Sequence, residues 1–239
     1  MEIVEIIGPS AQGYARPYKC RGEDDKVYYV KGIHSGRDSQ YKEWLCGHLA
    51  KKVGLAIPPF RIVNINAELL AETQPAWQEL GVGPAFGSEE QTHAVWFEPE
   101  STARVPVEQQ RLILAFDWWI ANGDRTKGNT NLLFDQTEGK IVVIDHNNAL
   151  DPDLQFVEFC ENHIFGAQYE SVFNDLVSIA ELQERFGRAA SGLAGWLAQA
   201  PVSWKWTNPE EDVPTRFDAQ SAVHTLAQRT RLAKDGLHG

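Results

Sequence analysis

Cysteine is scarce and scattered. Cys20, Cys46 and Cys160 are the three in 239 residues, odd in number, far apart and in no metal-ligand spacing. That argues against a disulfide framework and for reduced thiols in a cytoplasmic protein. Basic residues are outnumbered, 22 Lys and Arg against 33 Asp and Glu, for a net charge of −11. Binding of nucleic acid or an anionic membrane through general electrostatics is therefore not expected, although a local basic site stays open. No apolar run approaches the ~20 residues that span a bilayer. The opening MEIVEIIGPS has no basic region followed by an apolar stretch, so a secretory signal is not expected either. Internal repeats and low-complexity segments are lacking too.

What is there is an ordinary globular composition, 43% hydrophobic and 23% charged, enough for one large domain or two lobes. EIVEII and KVYYVKG read as strands, and RGEDDK suits a hairpin turn between YKC and VYYV. Residues 38–53 place Tyr41, Trp44, Leu45, His48 and Leu49 on one helical face, with Gly54 set to end the helix. IPPFRIVNI starts extended because each residue before a proline is pushed out of the α region, and HAVWF is another apolar run. PVEQQRLILAFDWWIAN reads as a buried helix with Pro106 near its first turn. Two more helices are expected in DLVSIAELQERFGRAASGLAGWLAQA and FDAQSAVHTLAQRTRLAKDG. The organisation is α+β: a strand-rich portion over 1–102, then a mainly helical portion over 103–239.

The densest chemistry sits in ANGDRTKGNTNLLFDQTEGKIVVIDHNNAL, residues 121–150. Asp124 follows a buried helix and Asn129 comes five positions later. TNLLF reads as a strand, DQTEGK as a turn, and IVVID as a second strand delivering Asp145. A hairpin of that length can return Asp145 towards Asn129. Asp and Asn beside Gly more often mark a turn, and for either residue alone the turn is the better reading. The order helix, D-x-x-x-x-N, strand, turn, strand, Asp favours phosphoryl transfer. There one carboxylate orients the attacking hydroxyl while an Asn and an Asp hold Mg²⁺, a hard cation needing few protein ligands. Asp117 reads as a helix-face residue and Asp135 as a turn residue. His146 and His163 lack any zinc spacing, and His146 reads as support for the loop after Asp145. Trp118 and Trp119 read as core.

FDWWIANGDRTKGNTNLLF with IVVIDHNNAL resembles the catalytic core of HipA-like kinases and, more distantly, is similar to phosphatidylinositol 3- and 4-kinases with their D-R-x-x-x-N loop. The resemblance covers most of residues 1 to about 165 and is strongest over 115–150. Thr126 stands where HipA has His, and His146–Asn147 stand where ordinary protein kinases have Phe–Gly, so an activation switch of that type does not carry over. The resemblance implies a two-lobed protein-kinase-like fold binding ATP between lobes, with Asp124 as catalytic base and Asn129 and Asp145 as Mg²⁺ ligands.

It also implies a first-lobe cation on the phosphates, for which Lys31 at the end of VYYVK is placed, and a helix-borne carboxylate to orient it, Glu43. Glu43 lies opposite the Trp44–Leu45–Leu49 stripe, yet Cys46, Gly47 and Ala50 share its side, so both faces of that helix can be covered. GPSAQGYAR could cover phosphates through Gly8 and Gly13 with Ser10 nearby, a candidate autophosphorylation site, although G-x-G-x-x-G is missing. Phe97 and Glu98 are candidate hinge residues for adenine. The expected function is an ATP- and Mg²⁺-dependent serine/threonine protein kinase. By resemblance it could be a toxin that acts on a protein substrate and is paired with an antitoxin-like partner. The rivals are a small-molecule or lipid kinase on the same fold and a pseudokinase scaffold.

Overall fold

A computed structural model of the protein describes residues 1–10, 16–208 and 210–232. Two compact units emerge, and they interleave along the chain rather than meeting at the 102/103 boundary expected above. The first comprises Met1–Trp44, Pro58–Thr92 and Gln199–Asp218, and the second Leu45–Ile57, His93–Ala198 and Ala219–Gly239.

The first unit is built on an antiparallel sheet of β1 (Ile3–Pro9), β2 (Tyr18–Gly22), β3 (Val27–Lys31), β4 (Phe60–Ile65) and β5 (Gly83–Glu89), in the order β1-β2-β3-β5-β4. Period-two alternation decides its faces. Tyr18, Cys20, Tyr28 and Val30 join Ile3, Ile6, Val63 and Ala85 in a core that Leu70 and Leu80 complete. Lys31, one residue past Val30, stands on the other face. The turn over 22–26 closes as expected, with the Gly22 amide donating to the Lys26 carbonyl at 2.9 Å.

The sequence did not announce β5, because GPAFGSE carries a proline and two glycines. Pairing on both sides, to β3 and to β4, makes it a strand. A Cβ on Gly87 would lie 2.6 Å from Val63 Cγ1, so the close approach of those strands requires glycine there. Residues 199–218 return to this unit for a packing reason. The Trp204 indole donates to the Pro84 carbonyl at 2.9 Å, and Tyr41 packs edge-on to Trp204 and stacks on Phe217.

α1 (Arg37–Lys52) is buried on nearly every side through Ala50, and Gly54 closes it by donating to Lys51. In the second unit the expected buried helix is α2 (Val107–Trp119), every residue from Ile113 to Trp119 being buried. Trp119 stacks on Phe186 with ring centres 4.4 Å apart, and its indole donates to the Leu226 carbonyl. β6 (Ala94–Trp96), β7 (Leu132–Asp135) and β8 (Lys140–Val143) form a second antiparallel sheet. The pairing of β6 with β7 is why residues 93–102 belong here rather than to the first unit. α3 (Phe156–Asn162), α4 (Leu176–Ala190), α5 (Leu193–Gln199) and α6 (Ala219–Arg229) complete the helical part. Among the described residues, no helix is long and apolar enough to cross a membrane.

Candidate active site

α2 ends at the start of the polar loop. Ala121 takes a positive φ of 50°, and the Asn122 amide donates to the Asp117 carbonyl at 2.8 Å, so the chain leaves the helix in a tight turn. Thr126 then closes residues 126–129: its amide donates to the Asn129 carbonyl at 2.9 Å, and its hydroxyl accepts from the Asn129 amide at 3.2 Å. This brings Asn129 back onto Asp124. The Asn129 side-chain amide donates to Asp124 Oδ2 at 3.1 Å, and Asn131 donates to the same oxygen at 3.0 Å. Asn131 was not foreseen. Its signal was the spacing N-x-N at the mouth of β7.

Arg125 is fully buried and acts as a clamp. Its guanidinium donates to the carbonyls of Asn131 and Ile144, the residues just before β7 and just after β8, and to both oxygens of Asp117. The Ile144 amide also donates to the Asn131 carbonyl at 3.1 Å. Asp145 is therefore delivered one residue beyond a position bonded to Asn131, whose side chain holds Asp124. Asp145 itself has φ 58°, a left-handed backbone that Asp tolerates better than most residues.

Asp117 corrects the sequence reading. It is completely buried rather than an ordinary helix-face residue, because Arg125, His163 and Asn122 converge on its carboxylate. Burial alone would raise its pKa, but the Arg125 charge and the hydrogen bonds from His163 and Arg125 outweigh that and hold it below the ordinary carboxylate range. Burial pushes His163 down, against the pull of Asp117. Its Nδ1 accepts from the Phe165 amide at 3.0 Å, which assigns the ring proton to Nε2 and directs it to Asp117. His163 is thus a structural strut. Asp135 accepts from the Thr137 and Glu138 amides, as a turn residue does.

The Asn129 amide nitrogen is committed to Asp124 Oδ2, so its carbonyl oxygen is the atom that could face a cation. With the Asp145 carboxylate it would make an oxygen donor set of the kind that hard divalent cations take.

In the first unit the structure brings Lys31 and Glu43 together in an ion pair, 6% and 4% exposed respectively. Gln40, one helical turn before Glu43, donates to the Lys31 carbonyl at 2.7 Å and fixes the strand end against α1. β1 and β2 are antiparallel neighbours, and the Ser10 amide donates to the Pro17 carbonyl at 2.8 Å, while residues 11–15 of GPSAQGYAR lie outside the described residues. Gly8 has φ 145°, and a Cβ there would lie 3.1 Å from the Trp77 ring, a packing reason for glycine. Gly13 lies outside the described residues.

Phe97 and Glu98 follow β6 in the second unit. The Phe97 amide donates to the Leu132 carbonyl at 3.0 Å, and its carbonyl accepts the Thr130 hydroxyl at 2.9 Å. Its N–H is thus committed within the protein, while Glu98 is exposed and starts a short 3-10 turn.

A strand-rich unit with a buried Lys–Glu pair, and a helical unit whose Asp–Asn loop abuts a strand hairpin, are the parts of a protein-kinase-like fold. The sequence matches the model of the HipA-like kinase family over residues 3–233, and the chain belongs to that family. Among solved structures, the Golgi casein kinase with Mn/ADP bound is similar at a TM-score of 0.55 and 14% identity, over 99% of this chain and 72% of that one. A second structure of the Golgi casein kinase gives 0.55 and 13%, over 97% and 72%. The Helicobacter pylori proinflammatory kinase CtkA gives 0.49 and 11%, over 92% and 90%. At these identities the likeness to the Golgi casein kinase speaks for the fold alone. No curated protein matches the sequence.

Proposed function

We propose that this kinase transfers the terminal phosphoryl group of ATP, with Mg²⁺, to a serine or threonine hydroxyl of a protein. The observation that carries the reading is the doubly held Asp124 carboxylate, on a loop that Arg125 ties to Asn131, just before β7, and to Ile144, just before Asp145. Asp124 aligns the acceptor hydroxyl and takes its proton as the oxygen attacks. Asn129 and Asp145 would hold Mg²⁺, which supplies charge neutralisation for the phosphates when bound. Lys31, steadied by Glu43, adds a cation for the phosphate oxygens. The Golgi casein kinase, of the same fold, was solved with Mn and ADP, which supports nucleotide and divalent-cation use.

The test is incubation with labelled ATP, Mg²⁺ and host-cell lysate, comparing the wild type with Asp124→Asn. Loss of a positioned base costs ~10²–10⁴ in rate, so labelling should nearly vanish while nucleotide binding persists. Equal labelling by the two proteins would remove Asp124 from the mechanism. Adding vesicles and small alcohols as acceptors separates a lipid or small-molecule kinase from a protein kinase. Nucleotide binding without turnover on any acceptor would favour a scaffold. A cytoplasmic toxin restrained by an antitoxin-like partner extends the proposal on family grounds alone. Growth arrest by the wild type but not by Asp124→Asn would support it.

A further inference from the structure

The proposed mechanism needs a place for the acceptor beside Asp124, and a cavity in the second unit has that residue in its lining. An open cavity of about 320 Å³ reaches from Gly123 and Asp124 across the start of α3, with Phe159 among its lining residues. That volume is at the lower end for ligand pockets, 300–1,000 Å³, and accommodates a few side chains rather than a whole nucleotide.

Its lining has one sign of charge. Asp124, Asp151, Asp153 and Glu158 line it, with no Lys, Arg or His among the lining residues. The last three are exposed, and among the described residues none of them has a basic partner in an ion pair. Hydrogen bonds tie Asp151 and Asp153 to the segment that leads into Asp124. The Leu150 and Asp151 amides donate to the carbonyls of Ile120 and Ala121, at the start of the catalytic loop, at 2.8 and 3.1 Å. The Asp153 amide donates to Asp151 Oδ1 at 2.9 Å. Four acidic residues lining one open cavity, with no basic residue among the lining, give it a negative potential.

We infer that this cavity is the acceptor site and that it selects a serine or threonine flanked by lysine or arginine. The inference rests on the kinase reading above and names its substrate class. Asp124 receives the hydroxyl, while Asp151, Asp153 and Glu158 receive the neighbouring cations. An acidic acceptor would meet uncompensated repulsion along the same wall. Each exposed pair contributes little by itself, so discrimination comes from the set and weakens with salt.

The experiment uses matched serine peptides carrying Lys, Ala or Glu around the acceptor, with labelled ATP and the full-length protein. The expected wild-type preference in kcat/KM for the basic over the neutral peptide is roughly tenfold at low salt, shrinking as salt is raised. In the Asp151→Asn, Asp153→Asn, Glu158→Gln triple variant that ratio should fall to about one. A melting curve confirms that the variant is folded. Hydroxyl-bearing polyamines and amino sugars form a second arm. Labelling of these above the peptides, lost in the triple variant, keeps the cationic class and assigns it to small molecules. A wild type that favours the Ala or Glu peptide, or a basic preference untouched in the triple variant, overturns the inference. If lysate labelling depends on Asp124 but shows no basic preference, this inference alone fails. If no labelling depends on Asp124, the kinase mechanism fails with it.

Discussion

Each unit buries an ion pair that sequence rules would place at a surface, and the two are used differently. In the first unit Lys31 meets Glu43 where a strand end abuts a helix. In the second, Arg125 meets Asp117 and also two main-chain carbonyls, while His163 and Asn122 saturate the same carboxylate. One pair orients a side chain. The other fixes backbone, and through it the relation of Asp124 to the start of the segment carrying Asp145. A buried charge is costly unless its partners satisfy it, so the second arrangement ties fold and chemistry together more tightly than the first.

The largest effect should come from breaking the Arg125 clamp. Arg125→Met leaves the buried Asp117 charge without its cation, with only His163 and Asn122 still bonded to it, a loss of about 3–5 kcal/mol and a melting point lower by roughly 6–20 °C for a chain of this size, with phosphotransfer abolished. Differential scanning calorimetry and labelled-ATP turnover check it. A melting point within a degree of wild type would show that the clamp is dispensable.

Double replacements sharpen the contrast. Lys31→Met with Glu43→Met exchanges a buried pair for apolar volume and should melt within ~1 kcal/mol of wild type while losing activity. Asp117→Leu with Arg125→Met should stay destabilised, because the Asn131 and Ile144 carbonyls and His163 Nε2 lose partners at ~1–3 kcal/mol each. Urea titration of both doubles decides it, and equal recovery would erase the distinction.

A smaller effect isolates the orientation of Asp124. Asn131 has φ 46°, so Asn131→Gly removes the amide without backbone strain. The loss of one oriented hydrogen bond should lower kcat roughly tenfold with little change in melting point. An unchanged kcat would leave Asn129 as the orienting group that matters.

The smallest is a pH slope. Burial lowers the pKa of His34 in the first unit and of His163 in the second, and lowers His48, stacked on Trp196, to about 4. Below their ordinary value of ~6.5 the unfolded chain binds more protons at these sites than the folded one, so stability falls as pH drops. Urea midpoints should be lower at pH 5 than at pH 7, and His48→Gln should flatten the difference. A midpoint that rises on acidification would contradict the sign. Asp117 works at lower pH: its contribution is present above its unfolded pKa and is lost only as pH falls through its depressed folded value.

Much of the fold was legible because it is written in local patterns. Residues 38–53 against Arg37–Lys52, the turn over 22–26, and the strands either side of DQTEGK all follow from periodicity and turn chemistry. β5 escaped, since Pro84 and Gly87 obscure a strand that exists because two neighbours pair with it. The long stretch expected as one helix after Asp175 divides into α4 and α5 around Ser191 and Gly192. At the site, Asp124, Asn129 and Asp145 could be singled out by order and spacing. Asn131, Arg125 and Asp117 could not be given their contacts, because those depend on where the hairpin returns.

The sequence by itself determined the acidic balance, the order of strands and helices around D-x-x-x-x-N, and the membership in the HipA-like kinases that this order carries. Only the tertiary structure decided which polar groups are buried and what each of them holds. Local spacing fixes which side chains leave the same face of an element. Desolvation makes a charge such as Asp117 or Arg125 bind its partner strongly, and it arises only when segments distant in the chain close over it.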